Sequence, residues 1–114
     1  MILVIGGYFQ GKKEYVKNKL HLSDDDFSDD LYSSKSVMTN FESWKGSLGQ
    51  KELELLLRKK AVISSESGCQ VLSLNEDDRL SVERINSALQ YLALNADSVV
   101  RLYCGIPKAL KGEI

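Results

Sequence analysis

The strongest candidate for chemistry is a glycine-rich stretch near the amino terminus. Residues 6–13 read GGYFQGKK and fit the pattern GxxxxGK, between an apolar run and a stretch with helical spacing. In such a loop, backbone N–H groups curl around phosphate oxygens, the helix adds its partial positive charge, and the lysine reaches the outer phosphates. This interpretation assigns phosphate or nucleotide binding to Gly6, Gly7, Gly11, Lys12 and Lys13. The alternative is a tight strand-to-helix turn that only happens to contain glycines and lysines.

The residue that follows the lysine departs from the usual form of this loop. A Ser or Thr, whose hydroxyl ligates Mg²⁺, normally stands there, whereas this chain has Lys13. Lysine has only hydrogen-bond donors, so it cannot ligate a metal and adds a positive charge beside it. The loop can therefore hold an anion while metal-assisted phosphoryl transfer is compromised.

Two further groups of polar residues follow predicted strands. Glu66 comes directly after the apolar run 61–65, and parallel sheets place their ligands at the carboxyl ends of strands. It is a candidate catalytic residue that would hold a metal-bound water or a substrate hydroxyl, the alternative being a helix-capping or surface acid. Candidates for contact with a nucleotide base or phosphate, or else parts of a solvated tail, are Gly105, Pro107, Lys108 and Lys111.

Composition and charge exclude several classes of protein. The chain has 114 residues, 43% of them hydrophobic, which predicts a single domain over residues 1–114. Fifteen basic and sixteen acidic side chains give a net charge of −1, so the balance does not favour nucleic-acid or membrane-surface binding. The longest apolar runs are about five residues, against the roughly 20 that a membrane-spanning helix needs.

The cysteines and the histidine bear on location and metals. The opening apolar run is too short for a signal peptide, so we interpret Cys69 and Cys104 as reduced thiols of a cytoplasmic protein. With His21 they show no zinc-site spacing, and no metal site is predicted from them. Five aspartates within residues 24–30 repel one another and predict a solvated loop, because the glycine and glutamate of an EF-hand are not placed correctly.

The pattern of apolar residues predicts strands that alternate with helices. Strands are expected at 1–5, 31–32, 36–38, 61–65 and 98–104, and helices at 12–20, 50–60 and 77–95, with a turn at 44–49. The strongest helix carries an apolar stripe formed by Val82, Ile85, Leu89, Leu92 and Ala96. The alternation indicates βαβ units, and hence a mostly parallel sheet with helices on its faces. Gly105 and Pro107 are expected to end the last strand.

Three blocks of the sequence carry a resemblance to a known family. Residues 1–20 combine an apolar strand, the loop GGxxxGKK and a helix. Residues 62–68 read VISSESG and are similar to a V-x-(S/T)-N-E-V-G motif, with Glu66 and Gly68 kept. Residues 90–111 are similar to a helix and a strand followed by G-(L/I)-P-x-x-x-K. In this order the blocks resemble the bifunctional adenosylcobinamide kinase / adenosylcobinamide-phosphate guanylyltransferase family.

The resemblance implies a P-loop NTPase-like fold, reduced in size, and a role related to cobalamin biosynthesis. The activity of the family is phosphorylation of the aminopropanol hydroxyl of adenosylcobinamide, followed by transfer of GMP from GTP to that phosphate. ATP or GTP is therefore the implied cofactor, a corrinoid is an implied ligand, and assembly into a homo-oligomer is expected.

The chain departs from the family in two ways. It is shorter, and nothing in residues 31–44 resembles the R-I-x-x-H-R helix whose histidine accepts the guanylyl group, while His21 lies outside such a motif. Residues 37–44 resemble the strand L-L-x-D-x-L-T-x-W, but Thr39 stands where a metal-directing Asp is usual. Because Lys13 replaces the loop hydroxyl, both usual Mg²⁺ ligands are replaced, and Mg²⁺ dependence is in doubt.

The sequence leaves three functions open. The chain could be a shortened cobinamide kinase-like phosphotransferase without guanylyl transfer, a non-catalytic nucleotide-binding or regulatory module, or an α/β scaffold whose loop binds only an adventitious anion. Lys13 and Thr39 favour the module over the enzyme. The intact strand–loop–helix unit favours the module over the scaffold.

Overall fold

The fold is built on one sheet with helices against both faces. The computed structural model of the chain describes residues 1–6, 11–65, 76–103 and 106–112, and in the last helix it describes side chains from residue 83 onward. The strands are β1 (Ile2–Gly6), β2 (Phe27–Ser28), β3 (Val37–Met38), β4 (Ala61–Ser65), β5 (Ser98–Tyr103) and β6 (Ile106–Lys111). The helices are α1 (Lys12–Leu20), α2 (Gln50–Leu57) and α3 (Glu76–Asn95), and short 3-10 turns lie at Asp24–Asp26 and Phe41–Ser43.

The strands form a six-stranded mixed sheet in the order β2-β3-β4-β1-β5-β6. All neighbours from β2 to β5 pair in parallel, and only β6 runs antiparallel to its neighbour β5. β1 lies in the interior, where its last residue Gly6 is level with Ser65 of β4 and Leu102 of β5. The predicted α/β fold with a mostly parallel sheet and flanking helices is confirmed.

The apolar runs form strands because both sides of the sheet are covered. Along β1, Leu3 packs in the cluster that contains the buried residues of α2 and α3, whereas Val4 packs in the cluster that contains Val16 of α1. All five residues of β4 are buried. Strands buried on both faces are continuously apolar rather than alternating, which is why β1 was recognisable from its sequence.

β1 and β4 are adjacent strands, and the chain that follows each of them crosses a different face of the sheet. The connection after β1 carries α1 and leads to β2 at one edge, while the connection after β4 carries α3 and passes over β1 to β5. α1 and α3 consequently pack on opposite faces. Open α/β sheets bind ligands outside the carboxyl ends of the strands at such a switch in direction.

The prediction of a strand at residues 31–32 is wrong. The short strand lies earlier, at Phe27–Ser28, and Leu31 is buried in a turn with an exposed fraction of 1%. The Ser28 hydroxyl accepts a hydrogen bond from the Asp30 amide, and the Asp30 carboxylate accepts one from the Tyr32 amide. Such side-chain-to-backbone bonds favour a turn over an extended strand.

The end of the chain also differs from the prediction. β5 ends at Tyr103, but residues 106–111 form a further strand, β6, which pairs antiparallel with β5 where the sequence pattern predicts no strand. Proline is tolerated there because β6 is an edge strand. Among the described residues, no helix is both long and apolar enough to cross a membrane.

Candidate functional site

A cleft of about 600 Å³ opens at the carboxyl ends of β2, β3 and β4, next to the start of α1. Its walls come from the first turn of α1, from the segment around β2, from the residues after β3, and from Ile63 and Ser65 of β4. This is the edge of the sheet where the connections after β1 and β4 diverge. The cleft therefore lies where an open parallel sheet places its ligand.

The first turn of α1 supplies one wall of the cleft, and Gly11 shapes its entry. Gly11 caps the helix with a φ of 75° and a ψ of 26°, in the left-handed region that glycine adopts without a steric cost. Gly11 has no side chain with which to cap the helix, and its carbonyl oxygen accepts the Tyr15 amide at 2.9 Å. The first amides of a helix lack acceptors within the helix, so this wall offers donors to an anion. Lys12 and Lys13 line the same wall.

The ammonium group of Lys13 is held on the side of the cleft by an acidic and an aromatic side chain. Its Nζ lies 3.5 Å from Oδ1 of Asp24 and 5.2 Å from the centre of the Phe27 ring. Lys17 Nζ lies 3.0 Å from the same Asp24 oxygen. The hydrogen bond from Lys17, and then the charges of Lys17 and Lys13, lower the pKa of Asp24. Lys17 also lies 3.9 Å from Glu14, so the ammonium groups of Lys12, Lys13 and Lys17 outnumber the two carboxylates of this wall by one.

Asp29 lies beside the two residues that follow β3. Its Oδ1 accepts hydrogen bonds from the Thr39 hydroxyl and, at 3.1 Å, from Nδ2 of Asn40. The Thr39 amide also donates to the carbonyl of Ser28 at 2.9 Å, which ties the ends of β2 and β3 together. Thr39 replaces the expected aspartate in sequence, but a neighbouring strand brings a carboxylate to its side.

Glu42 is a second carboxylate of the cleft that sequence reasoning missed. It belongs to the 3-10 turn Phe41–Ser43, which is anchored by the fully buried Phe41 ring. Its Oε2 is buried and receives no hydrogen bond from any described residue. A buried carboxylate oxygen without a donor costs free energy, so it is the kind of atom that a ligand or cation satisfies.

Several predicted site residues fall where the structure gives no description. Gly7, Glu66 and Gly105, together with Cys69 and Cys104, lie outside the described residues. Gly6 is described and ends β1 at the edge of the sheet on which the cleft opens. The catalytic role assigned to Glu66 thus stays a prediction.

The basic residues at the end of the chain lie elsewhere. Lys111 pairs with Val99 near the amino end of β5, and its Nζ donates to the carbonyls of Ala93 and Leu94 at 3.2 and 2.7 Å. These bonds cap the carboxyl end of α3 at the opposite edge of the sheet from the cleft. Pro107 lies in the exposed strand β6. The structure therefore does not bring Lys111 into contact with the wall that the first turn of α1 supplies.

Asp29 and Glu42 escaped sequence analysis because their importance depends on neighbours in space. Asp29 belongs to an aspartate-rich run that predicts only a solvated loop, and Glu42 is a lone acid in a turn. The available signal is that each acid follows a strand within a few residues, but the sequence pattern predicts the first of these strands at residues 31–32, after Asp29. Its true position, Phe27–Ser28, puts Asp29 directly at the carboxyl end of a strand.

The donor set of the cleft suits a phosphate group on one side and a cation on the other. Among the described residues there is no group of three or more His, Cys, Asp or Glu side chains that could hold a metal by themselves. Mg²⁺ needs fewer protein ligands, because it keeps several waters and binds one or two carboxylates together with substrate phosphates. The two carboxylates, with the buried unpaired oxygen of Glu42, fit that requirement.

Comparisons with known proteins give no relative from which the function of the cleft could be inferred. No protein-family model matches the chain, and no curated protein matches it. What can be inferred about its chemistry therefore comes from the helix start, the lysines and the carboxylates that line the cleft.

Proposed function

We propose that this chain is a nucleotide-binding protein that holds the phosphates of ATP or GTP in the cleft at the start of α1. The observation that carries the proposal is the position of the cleft. It opens at the first turn of a helix with a left-handed glycine cap, at the side of the sheet from which the connections after β1 and β4 diverge, and two adjacent lysines line it. Helix amides, glycine and lysine at the carboxyl end of an interior strand are the donor set that phosphate-binding loops use.

The individual residues have distinct roles in this proposal. The amides of the first turn of α1 donate to phosphate oxygens, and the ammonium groups of Lys12 and Lys13 offset their charge. Ser65 lies at the end of β4 in the same cleft, where its hydroxyl can contact a ligand. The P-loop NTPase-like fold and a descent shared with adenosylcobinamide kinases belong to this proposal and are supported by the resemblance of residues 1–20.

A non-catalytic regulatory module is the version of this function that Lys13 favours. Its ammonium group replaces the metal-ligating hydroxyl of an active loop and is held near Asp24. If the chain is active, the reaction would be transfer of a phosphoryl group from ATP or GTP to a hydroxyl of a corrinoid. Guanylyl transfer is not proposed, since His21 lies at the end of α1 in a left-handed conformation rather than in a histidine-bearing helix. A homo-oligomeric assembly and a cytoplasmic location stay predictions.

Calorimetric titration with ATP and with GTP tests the proposal. Lys12→Ala should weaken nucleotide binding about 10-fold or more, because a charge-assisted hydrogen bond contributes about 1.5–3 kcal/mol. Lys19→Ala is the matched control, since Lys19 is exposed at the other end of α1 and should leave affinity unchanged. The absence of binding to either nucleotide would contradict the proposal. Phosphorylation of cobinamide in the same preparation would identify an enzyme, and binding without turnover would identify the module.

A further inference from the structure

We infer that Asp29 and Glu42 hold the divalent cation that accompanies a nucleotide in this cleft, in place of the ligands replaced at Lys13 and Thr39. This inference rests on the proposed function and makes it more specific. It predicts that nucleotide binding depends on Mg²⁺, although the two positions at which the sequence pattern expects metal ligands carry unsuitable residues.

The first support is the unsatisfied oxygen of Glu42. Oε2 is buried, lies in a residue that lines the cleft, and has no hydrogen-bond donor among the described residues. A carboxylate in this state lacks the compensation that buried charges normally have. A cation bound in the cleft would supply it.

The second support is the way Asp29 is held. Both of its described hydrogen bonds are accepted by Oδ1, from Thr39 and Asn40, so these two residues fix the orientation of the carboxylate. Thr39 is thereby a positioning residue, with its hydroxyl proton donated to Asp29. Outer hydrogen bonds of this kind orient metal-binding carboxylates in proteins.

The third support is the charge of the cleft. Its charged lining residues are Lys12, Lys13, Glu14, Asp24, Asp29 and Glu42. Lys17 lies outside the lining and offsets Asp24. Lys17 also lies 3.9 Å from Glu14, so three ammonium groups in all stand against four carboxylates, and the phosphates of a nucleotide would add further negative charge. A divalent cation between carboxylates and phosphates turns this repulsion into attraction.

The test measures metal binding and nucleotide binding separately. Titration with Mn²⁺ in the absence of nucleotide measures metal affinity, because the electron paramagnetic resonance signal gives the concentration of unbound Mn²⁺. Calorimetric titration with ATP, once in Mg²⁺ and once in EDTA, measures nucleotide affinity with and without the divalent cation. Wild type should bind ATP at least 10-fold more tightly in Mg²⁺ than in EDTA. Glu42→Gln and Asp29→Asn should each remove most of this enhancement and weaken Mn²⁺ binding, while affinity in EDTA is unchanged or improved.

Two variants and one control keep the test decisive. Asp29 is exposed, so Asp29→Asn should fold even if Glu42→Gln disturbs its turn, and circular dichroism checks both. Glu54→Gln, an exposed acid of α2, should behave as wild type. Equal affinity in Mg²⁺ and EDTA, or an enhancement that survives in both variants, overturns the inference and leaves the proposed function standing. If no nucleotide binds, the proposed function fails, and Mn²⁺ alone decides the inference: binding weakened by both variants supports it, and no binding overturns it.

Discussion

Lys59 lies away from the cleft but holds one of the segments that form it. It follows α2 with an exposed fraction of 9%, and its Nζ donates at 3.0 Å to the carbonyls of Ser33 and Lys35. These bonds attach the connection between β2 and β3, which begins at Asp29, to the end of α2. Burial lowers the pKa of Lys59, and the nearby charge of Asp30 opposes this shift only in part.

The lowered pKa of Lys59 predicts a pH dependence of stability. Between its folded pKa and the unfolded value of 10.5, the unfolded chain binds the extra proton, so this residue makes the free energy of unfolding rise with pH. Relative to Lys59→Met, wild type should therefore gain stability as pH rises toward 10.5. Urea unfolding at a series of alkaline pH values measures the difference, with the exposed Lys60→Met as control. Parallel pH curves for wild type and Lys59→Met would contradict the assignment.

At the residue scale, the sequence singles out the two lysines that line the cleft but not its two acids, Asp29 and Glu42. Lys12 and Lys13 are recognisable because glycine spacing within one short segment is a local signal. Asp29 and Glu42 matter only because separate strand ends meet, and that information is not local. Thr39 shows the difference clearly, since its replacement of an aspartate in the chain does not remove a carboxylate from its surroundings.

At the scale of elements, apolar periodicity predicts an element that buries one face, such as α3, but not an element that is exposed throughout, such as β6. α3 was expected at 77–95 and is observed at Glu76–Asn95, because a stripe at steps of three and four residues is specific to an amphipathic helix. All six residues of β6 are exposed, so its sequence carries no alternating pattern. Backbone pairing with β5 makes it a strand, and such pairing leaves little trace in residue types.

The apolar stripe of α3 gives a stability prediction at this scale. Leu92 is fully buried between α3 and the sheet, whereas Leu94 on the same helix is 78% exposed. Leu92→Ala should lower the free energy of unfolding by about 2–5 kcal/mol through lost burial and a residual cavity. Leu94→Ala should change it by less than about 0.5 kcal/mol. Chemical denaturation measures both, and equal losses would show that α3 does not present this face to the sheet.

At the scale of the whole molecule, strand order decides which residues share the cleft. The sequence indicates the types of most elements, yet it does not say that β4 and β5 flank β1 or that β2 stands at an edge. Strand order arises from long-range pairing, in which each crossover must bury a helix against the correct face. This is why the sequence can propose a phosphate-binding segment from one local pattern, whereas the carboxylates that share its cleft are apparent only in the folded chain.

Ligand binding should stabilise the whole molecule, because the cleft joins α1 with the ends of three strands that form only in the folded chain. At a nucleotide concentration 100 times Kd, the free energy of unfolding should rise by about 2.7 kcal/mol. For a domain of this size that raises Tm by roughly 10 °C. Differential scanning calorimetry with ATP or GTP in Mg²⁺ measures the shift. At the same nucleotide concentration, a 10-fold weaker affinity in Lys12→Ala should reduce the rise to about 1.4 kcal/mol and so roughly halve the shift, whereas Lys19→Ala should keep it. A shift of equal size in both variants would place the nucleotide somewhere other than the start of α1.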